Sequence, residues 1–153
     1  MNRLPALFGL LMILLPAWAT AQAEREGAAT PIEAVQRFHE ALKASDPETA
    51  ILQLAPDLVV FETGFAEAHP RAYADNNLAM DLAFAVVTNR RIVEQVERVE
   101  EKIAWVLTRS ELTSKPGTDP IALRQTETMI LRQYADGWKI AHIHWSAHPF
   151  EQD

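Results

Sequence analysis

The 153-residue chain contains no cysteine. That excludes disulfides, zinc ribbons, iron–sulfur clusters, a cysteine nucleophile and a lipid-modified cysteine anchor. Basic residues are few, 14 against 21 acidic, for a formal net charge of -7. Nucleic acid and anionic lipid both call for a basic surface, so neither is an expected partner. The chain has no G-x-S-x-G, no phosphate-binding glycine loop, no dinucleotide fingerprint and no H-E-x-x-H. Nucleotide-dependent chemistry is therefore not expected, and no cofactor is. No apolar run reaches the ~20 residues of a spanning helix.

What is present begins with a leader. Arg3 supplies a positive charge, Leu4 to Leu15 is mostly apolar, and Pro16 precedes two A-x-A sites, Ala19-Thr20-Ala21 and Ala21-Gln22-Ala23. Residues 1–23 read as a signal peptide cleaved after Ala21 or Ala23, which implies a periplasmic or secreted protein with no membrane attachment after cleavage. Residues 24–29, polar and small, read as a mobile N-terminus. The rest, 30–150, is long enough for one domain, and a hydrophobic share of 48% leaves material for a core even after the leader is discounted.

Thr30-Pro31-Ile32-Glu33 is a helix start: a cap, a first-position proline and the glutamate of a capping box. Val35, Phe38 and Leu42 follow at helical spacing. Ser45-Asp46-Pro47-Glu48 opens a second helix that runs to Pro56, and Pro70 opens a third that fades near Val87. A strand is expected over 58–64. Residues 90–102 have helical spacing but β-branched content, and a bulged strand is the reading preferred. Further strands are expected at 103–113, 121–134 and 138–146, the last two joined through Ala135-Asp136-Gly137. Helices first and antiparallel strands after give an α+β domain.

Particular residues carry a resemblance. Phe38-His39-Glu40-Ala41-Leu42 with Ser45-Asp46, Val60-Phe61-Glu62 before Gly64, and the closing Thr126 to Leu131 and Asp136 to Ser146 are similar to the SnoaL-like family of the nuclear transport factor 2-like superfamily. The closing hairpin also resembles the association domain of calmodulin-dependent protein kinases. The resemblance implies a cone-shaped fold: three N-terminal helices packed on a curved antiparallel sheet, with a pocket between them. It also implies frequent homodimers and no single chemistry.

His142 and His144 lie two apart in a strand and so share a face, with Trp138, Ile140 and Ser146. The resemblance turns that face toward the pocket and Lys139, Ala141, Ile143 and Trp145 outward, where Trp145 would suit a dimer contact. Two imidazoles on one wall could bind a metal, hold an anion or move protons, or could be satisfied core histidines. A metal site would need more ligands, and His69, Glu62, Met80 and Met129 are the candidates, with copper favoured over zinc. Glu62, amid apolar residues, is the candidate base, or else a hydrogen-bonded structural carboxylate. Arg109 could clamp a carboxylate or pair with Glu111 or Glu127. Glu127 shares that ambiguity. Tyr73 could donate its hydroxyl into the pocket or pack in the core. Trp105 and Met129 complete the expected pocket set, while His39 and His148 read as surface or terminal residues. Three functions stay open: an exported protein binding a small, mainly apolar or carboxylate-bearing molecule; a cofactor-free isomerase, cyclase or hydratase of a carbonyl compound; and a copper- or zinc-handling protein.

Overall fold

The structure, a computed structural model, describes residues 27–151. The leader and its cleavage sites lie outside the described residues. Among those residues no helix is long and apolar enough to cross a membrane.

Helix α1 spans Pro31–Ala44 and α2 spans Pro47–Leu52. The Thr30 hydroxyl accepts from the Glu33 amide at 3.2 Å, as a cap should, while the Glu33 carboxylate reaches back to the Ala29 amide at 2.7 Å. Ser45 ends α1 in the left-handed region at φ 57°, and Asp46 caps α2 by accepting from the Thr49 amide. Strand β1, Leu54–Glu62, starts earlier than its apolar run suggests and shortens α2 accordingly. A short strand β2, Phe65–Glu67, folds back on it.

The single helix expected from Pro70 to Val87 is two, α3 at Pro70–Asp75 and α4 at Leu78–Val87. The break falls at Asn76-Asn77, a residue type that competes for backbone hydrogen bonds and ends helices. Strands β3 (Thr88–Glu100), β4 (Ile103–Ser114), β5 (Ala122–Tyr134) and β6 (Gly137–Pro149) complete the chain. The bulge expected in β3 lies between Ile92 and Glu94.

The sheet order is β2-β1-β6-β5-β4-β3. It is not wholly antiparallel as expected, since β1 runs parallel to β6. Helices α1 and α4 cover the concave face, where Phe38, Val35, Leu58, Val60, Val106, Met129, Leu131, Ile140 and Ile143 are buried. At roughly 2 kcal/mol per large side chain, this layer is the main source of stability.

The N-terminal segment is less free than its composition suggests. Ala28 is fully buried and its carbonyl accepts from the Trp138 amide at 2.9 Å. Gly27 sits so close to the β5–β6 turn that a Cβ there would lie 1.8 Å from the Asp136 carbonyl oxygen. Of the stretch expected to be mobile, residues 24–26 lie outside the described residues.

Candidate functional site

One residue in β6 decides which side chains reach the concave face. His142 pairs with Ile130 of β5 and Ile140 pairs with Leu131, so Ala141 is an extra residue without a partner across the ladder. A one-residue insertion reverses side-chain parity beyond it. Trp138 and Ile140 point inward as expected. Past the bulge it is Ile143 and Trp145 that point inward, both buried, while His144 is exposed and His142 half-buried on the convex face.

The expectation that His142 and His144 line the pocket is thereby corrected, as is the outward placement of Trp145. His142 makes a 2.9 Å hydrogen bond between Nδ1 and the Val59 carbonyl and meets Phe61 edge-on. Trp105 and Arg109 also belong to the convex face: they share parity in β4, opposite to the buried Ala104, Val106, Thr108 and Ser110. Arg109 pairs with Glu94 at 3.0 Å, not with Glu111 or Glu127. It borders an open depression of about 680 Å³ on that face, where Arg124 is likewise engaged, 3.6 Å from Glu111 and over the Phe150 ring. His69 caps α3 through Nδ1, accepting from the Ala72 amide, and Met80 is exposed. Among the described residues no group of three or more His, Asp or Glu side chains is placed to hold a metal ion.

The concave face holds a different set. A cavity of about 300 Å³ opens between α1, α4 and the sheet, with Leu42, Phe84, Ala85, Leu112 and Trp145 among its apolar walls. His39, Glu62, Asp81 and Arg90 enter it as polar groups. Size and lining match a small-molecule site at the lower end of the usual range. Met129 is inward but lies deeper, in the core.

Two polar assemblies flank the cavity. In the first, Tyr73, fully buried, donates its hydroxyl to Asp81 Oδ2 at 2.6 Å. Burial, opposed by the Tyr73 hydrogen bond and helped by the charges of Glu62 and Glu67, pushes Asp81 up to about 7. Burial and Asp81 push the Tyr73 hydroxyl far above its ordinary range, so it stays protonated. Glu62 is raised as well, by burial and by Glu67. Glu67 is itself buried with one carboxylate oxygen unpaired. Burial thus shifts both Asp81 and Glu62 toward their protonated forms.

The second assembly is centred on Glu127, whose side chain is wholly buried. Its Oε2 meets His39 Nε2 at 2.7 Å and accepts from Trp145 Nε1 at 2.7 Å, and its Oε1 accepts from Arg90 at 3.2 Å. Burial alone would raise this carboxyl. The charge and hydrogen bond of His39, then Arg90 and Trp145, outweigh burial and hold it at about 2. Glu127 is thus an anion at neutral pH, and Arg90 and His39 are its neighbours on the cavity wall.

Three of these groups, Asp81, His39 and Arg90, carried little weight in the sequence, whereas Glu127 was an expected pocket residue. Asp81 occupies a position on the apolar stripe of α4 between Leu78, Leu82 and Ala85, and a carboxylate there is a signal that spacing alone could have raised. Glu127 alternates with the inward Met129 and Leu131, a comparable signal. His39 and Arg90 gave none, because only the folded chain brings α1 and β3 to the same carboxylate.

Comparison with known proteins places the chain. Residues 32–151 match the sequence model of the SnoaL-like domain. No curated protein matches. A solved structure from Shewanella frigidimarina, provisionally named a ketosteroid isomerase, superposes with a TM-score of 0.69 at 28% identity, over 74% of this chain and 91% of that one. A structure from Thiobacillus denitrificans, provisionally named a calmodulin-dependent protein kinase type II association domain, gives 0.63 at 20% over 82% and 98%. One from Streptomyces avermitilis, provisionally named a dehydratase of the nuclear transport factor 2-like family, gives 0.64 at 17% over 75% and 91%. The likeness at this level of identity concerns the fold.

Proposed function

This chain belongs to the SnoaL-like domain family, and on that premise we propose that it is an exported protein that binds one small, mainly apolar molecule in the cavity of its cone. The observation that carries this reading is the cavity itself, which sets an apolar surface from Leu42, Phe84, Ala85, Leu112 and Trp145 beside convergent polar groups. The polar groups favour a ligand with a carbonyl, hydroxyl or carboxylate function over a hydrocarbon. The leader, residues 1–23, supports export to the periplasm or outside the cell.

A homodimer is part of the same reading. The convex face exposes Phe61, Leu107 and Ile130 together, an apolar patch on a sheet that a second copy would cover. Native mass spectrometry of the protein purified from an exported fraction tests the whole reading. A dimer retaining an organic mass, lost in an Ala85→Trp variant that fills the cavity, is the expected result. Wild-type protein that retains no mass and gives no saturable calorimetric binding of apolar carbonyl or nitroaromatic probes would overturn it.

A second reading is favoured by Asp81 and Glu62. Two carboxyl groups in one cavity, Asp81 pushed up to about 7 and Glu62 raised above its ordinary value, could exchange protons with a carbonyl compound, as a cofactor-free isomerase or dehydratase requires. Its mark would be a pH–rate profile whose limb near neutrality disappears in Asp81→Asn.

A further inference from the structure

Glu127 fixes one nitrogen of His39. An ionised carboxylate accepts at Nε2, 2.7 Å away, so that nitrogen carries hydrogen and Nδ1 is left as the acceptor of the neutral ring. The described residues offer Nδ1 no hydrogen-bond partner. The ring is anchored from below by Phe38, which meets it edge-on at 5.7 Å, and its side chain keeps 18% of its surface open on the cavity wall. A buried carboxylate behind an imidazole whose second nitrogen is unused is an arrangement that holds the ring in one orientation and, when neutral, in one tautomer.

Charge balance narrows what could meet it. Glu127 and Arg90 cancel. With His39 protonated, the assembly carries one net positive charge, which a singly anionic ligand neutralises. The other charged groups at the cavity are Glu40 and Lys43 on α1, Glu62 at the end of β1 and Asp81 on α4. Of these, Asp81, pushed up to about 7, is mostly protonated at mildly acidic pH, so it would not repel an anion there and could donate a hydrogen bond to it; Glu62 is shifted in the same direction by burial and by Glu67.

Resting on the reading of the cavity as a binding site, we propose that His39, positioned by Glu127, takes the proton of an acidic hydroxyl, so that the cavity binds a small phenol or enol as its anion beside an imidazolium. The ligand O–H bond breaks with its electron pair left on oxygen, and an N–H bond forms at His39 Nδ1. Nothing is oxidised or reduced. A phenolate taken up directly by an already protonated His39 reaches the same complex.

4-Nitrophenol is the probe, because its anion is yellow and its neutral form colourless. It is titrated into the purified protein at a pH where the free dye is mostly colourless, beside nitrobenzene, which lacks the hydroxyl and is followed by calorimetry. Wild-type protein is expected to raise the anion-to-acid ratio of bound dye at least about tenfold over that of free dye. His39→Gln, checked for an unchanged circular dichroism spectrum, is expected to bind the dye colourless, while still binding nitrobenzene. Glu127→Gln, if folded, should lose the colour as well. Colourless dye on wild-type protein, colour that survives in His39→Gln, or binding of nitrobenzene without 4-nitrophenol each overturns the inference while leaving the cavity reading intact. Binding of neither probe overturns both.

Discussion

The Tyr73 hydroxyl donates to Asp81 Oδ2 at 2.6 Å, and by doing so it satisfies a carboxyl group that α4 carries on its apolar stripe. Tyr73→Phe removes the donor without changing the ring. The buried Asp81 carboxyl then loses its partner, and unfolding in urea should show a loss of about 1–3 kcal/mol. A loss below a few tenths would mean that water replaces the hydroxyl.

The same pair sets a pH dependence. Asp81 sits at about 7 in the fold against its ordinary 3.8. Between those values the folded state binds more protons than the unfolded state, so stability falls as pH rises. The contribution of this group is fully present below about pH 4 and is lost through about pH 7. Asp81→Asn is expected to flatten that slope, read from urea midpoints across the window.

Glu127 works with the opposite sign. Its carboxyl is held at about 2 against an ordinary 4.5, so its contribution is present above about pH 4.5 and disappears as the pH falls toward 2. Glu127→Gln leaves Arg90 and His39 without their counter-charge and should cost about 3–5 kcal/mol near neutrality. In that variant the acid limb of the stability profile should be shallower than in wild type.

The convex face separates assembly from ligand binding. Leu107→Glu puts a charge in the exposed apolar patch and should convert the proposed dimer to a monomer in sedimentation velocity. His142→Ala with His144→Ala should leave nitrobenzene affinity in the cavity within about 0.5 kcal/mol, since neither ring reaches the concave face. A larger loss would place those histidines in contact with the ligand.

Ala141 can be tested by removal. Without it, Ile140 and His142 become neighbours in a regular ladder against Leu131 and Ile130, so Ile143 and Trp145 stay inward and His142 and His144 stay outward. The deletion is therefore expected to keep a cooperative thermal transition, as is Ala141→Ser. A deletion variant that fails to fold would show that β6 needs the bulge for more than the direction of its side chains.

The order of elements was legible in the sequence because each signal is local. Thr30-Pro31 and Asp46-Pro47 cap helices, Asp136-Gly137 turns a hairpin, and alternating apolar residues make strands, whatever the rest of the chain does. Glu62 was legible too, as a carboxylate inside an apolar run. The break at Asn76-Asn77 and the parallel pairing of β1 with β6 were not, for they depend on what the helices and strands meet. Above all, the direction of every side chain after Ala141 rests on one residue bulged out of a ladder, which two-residue periodicity cannot register. The sequence therefore determined which residues are helical, extended or capping. Only the tertiary structure decided that His39, Arg90 and Trp145, drawn from a helix and two strands, converge on Glu127 while His142 and His144 face away, because burial satisfies a charge with whatever donors the fold brings near it.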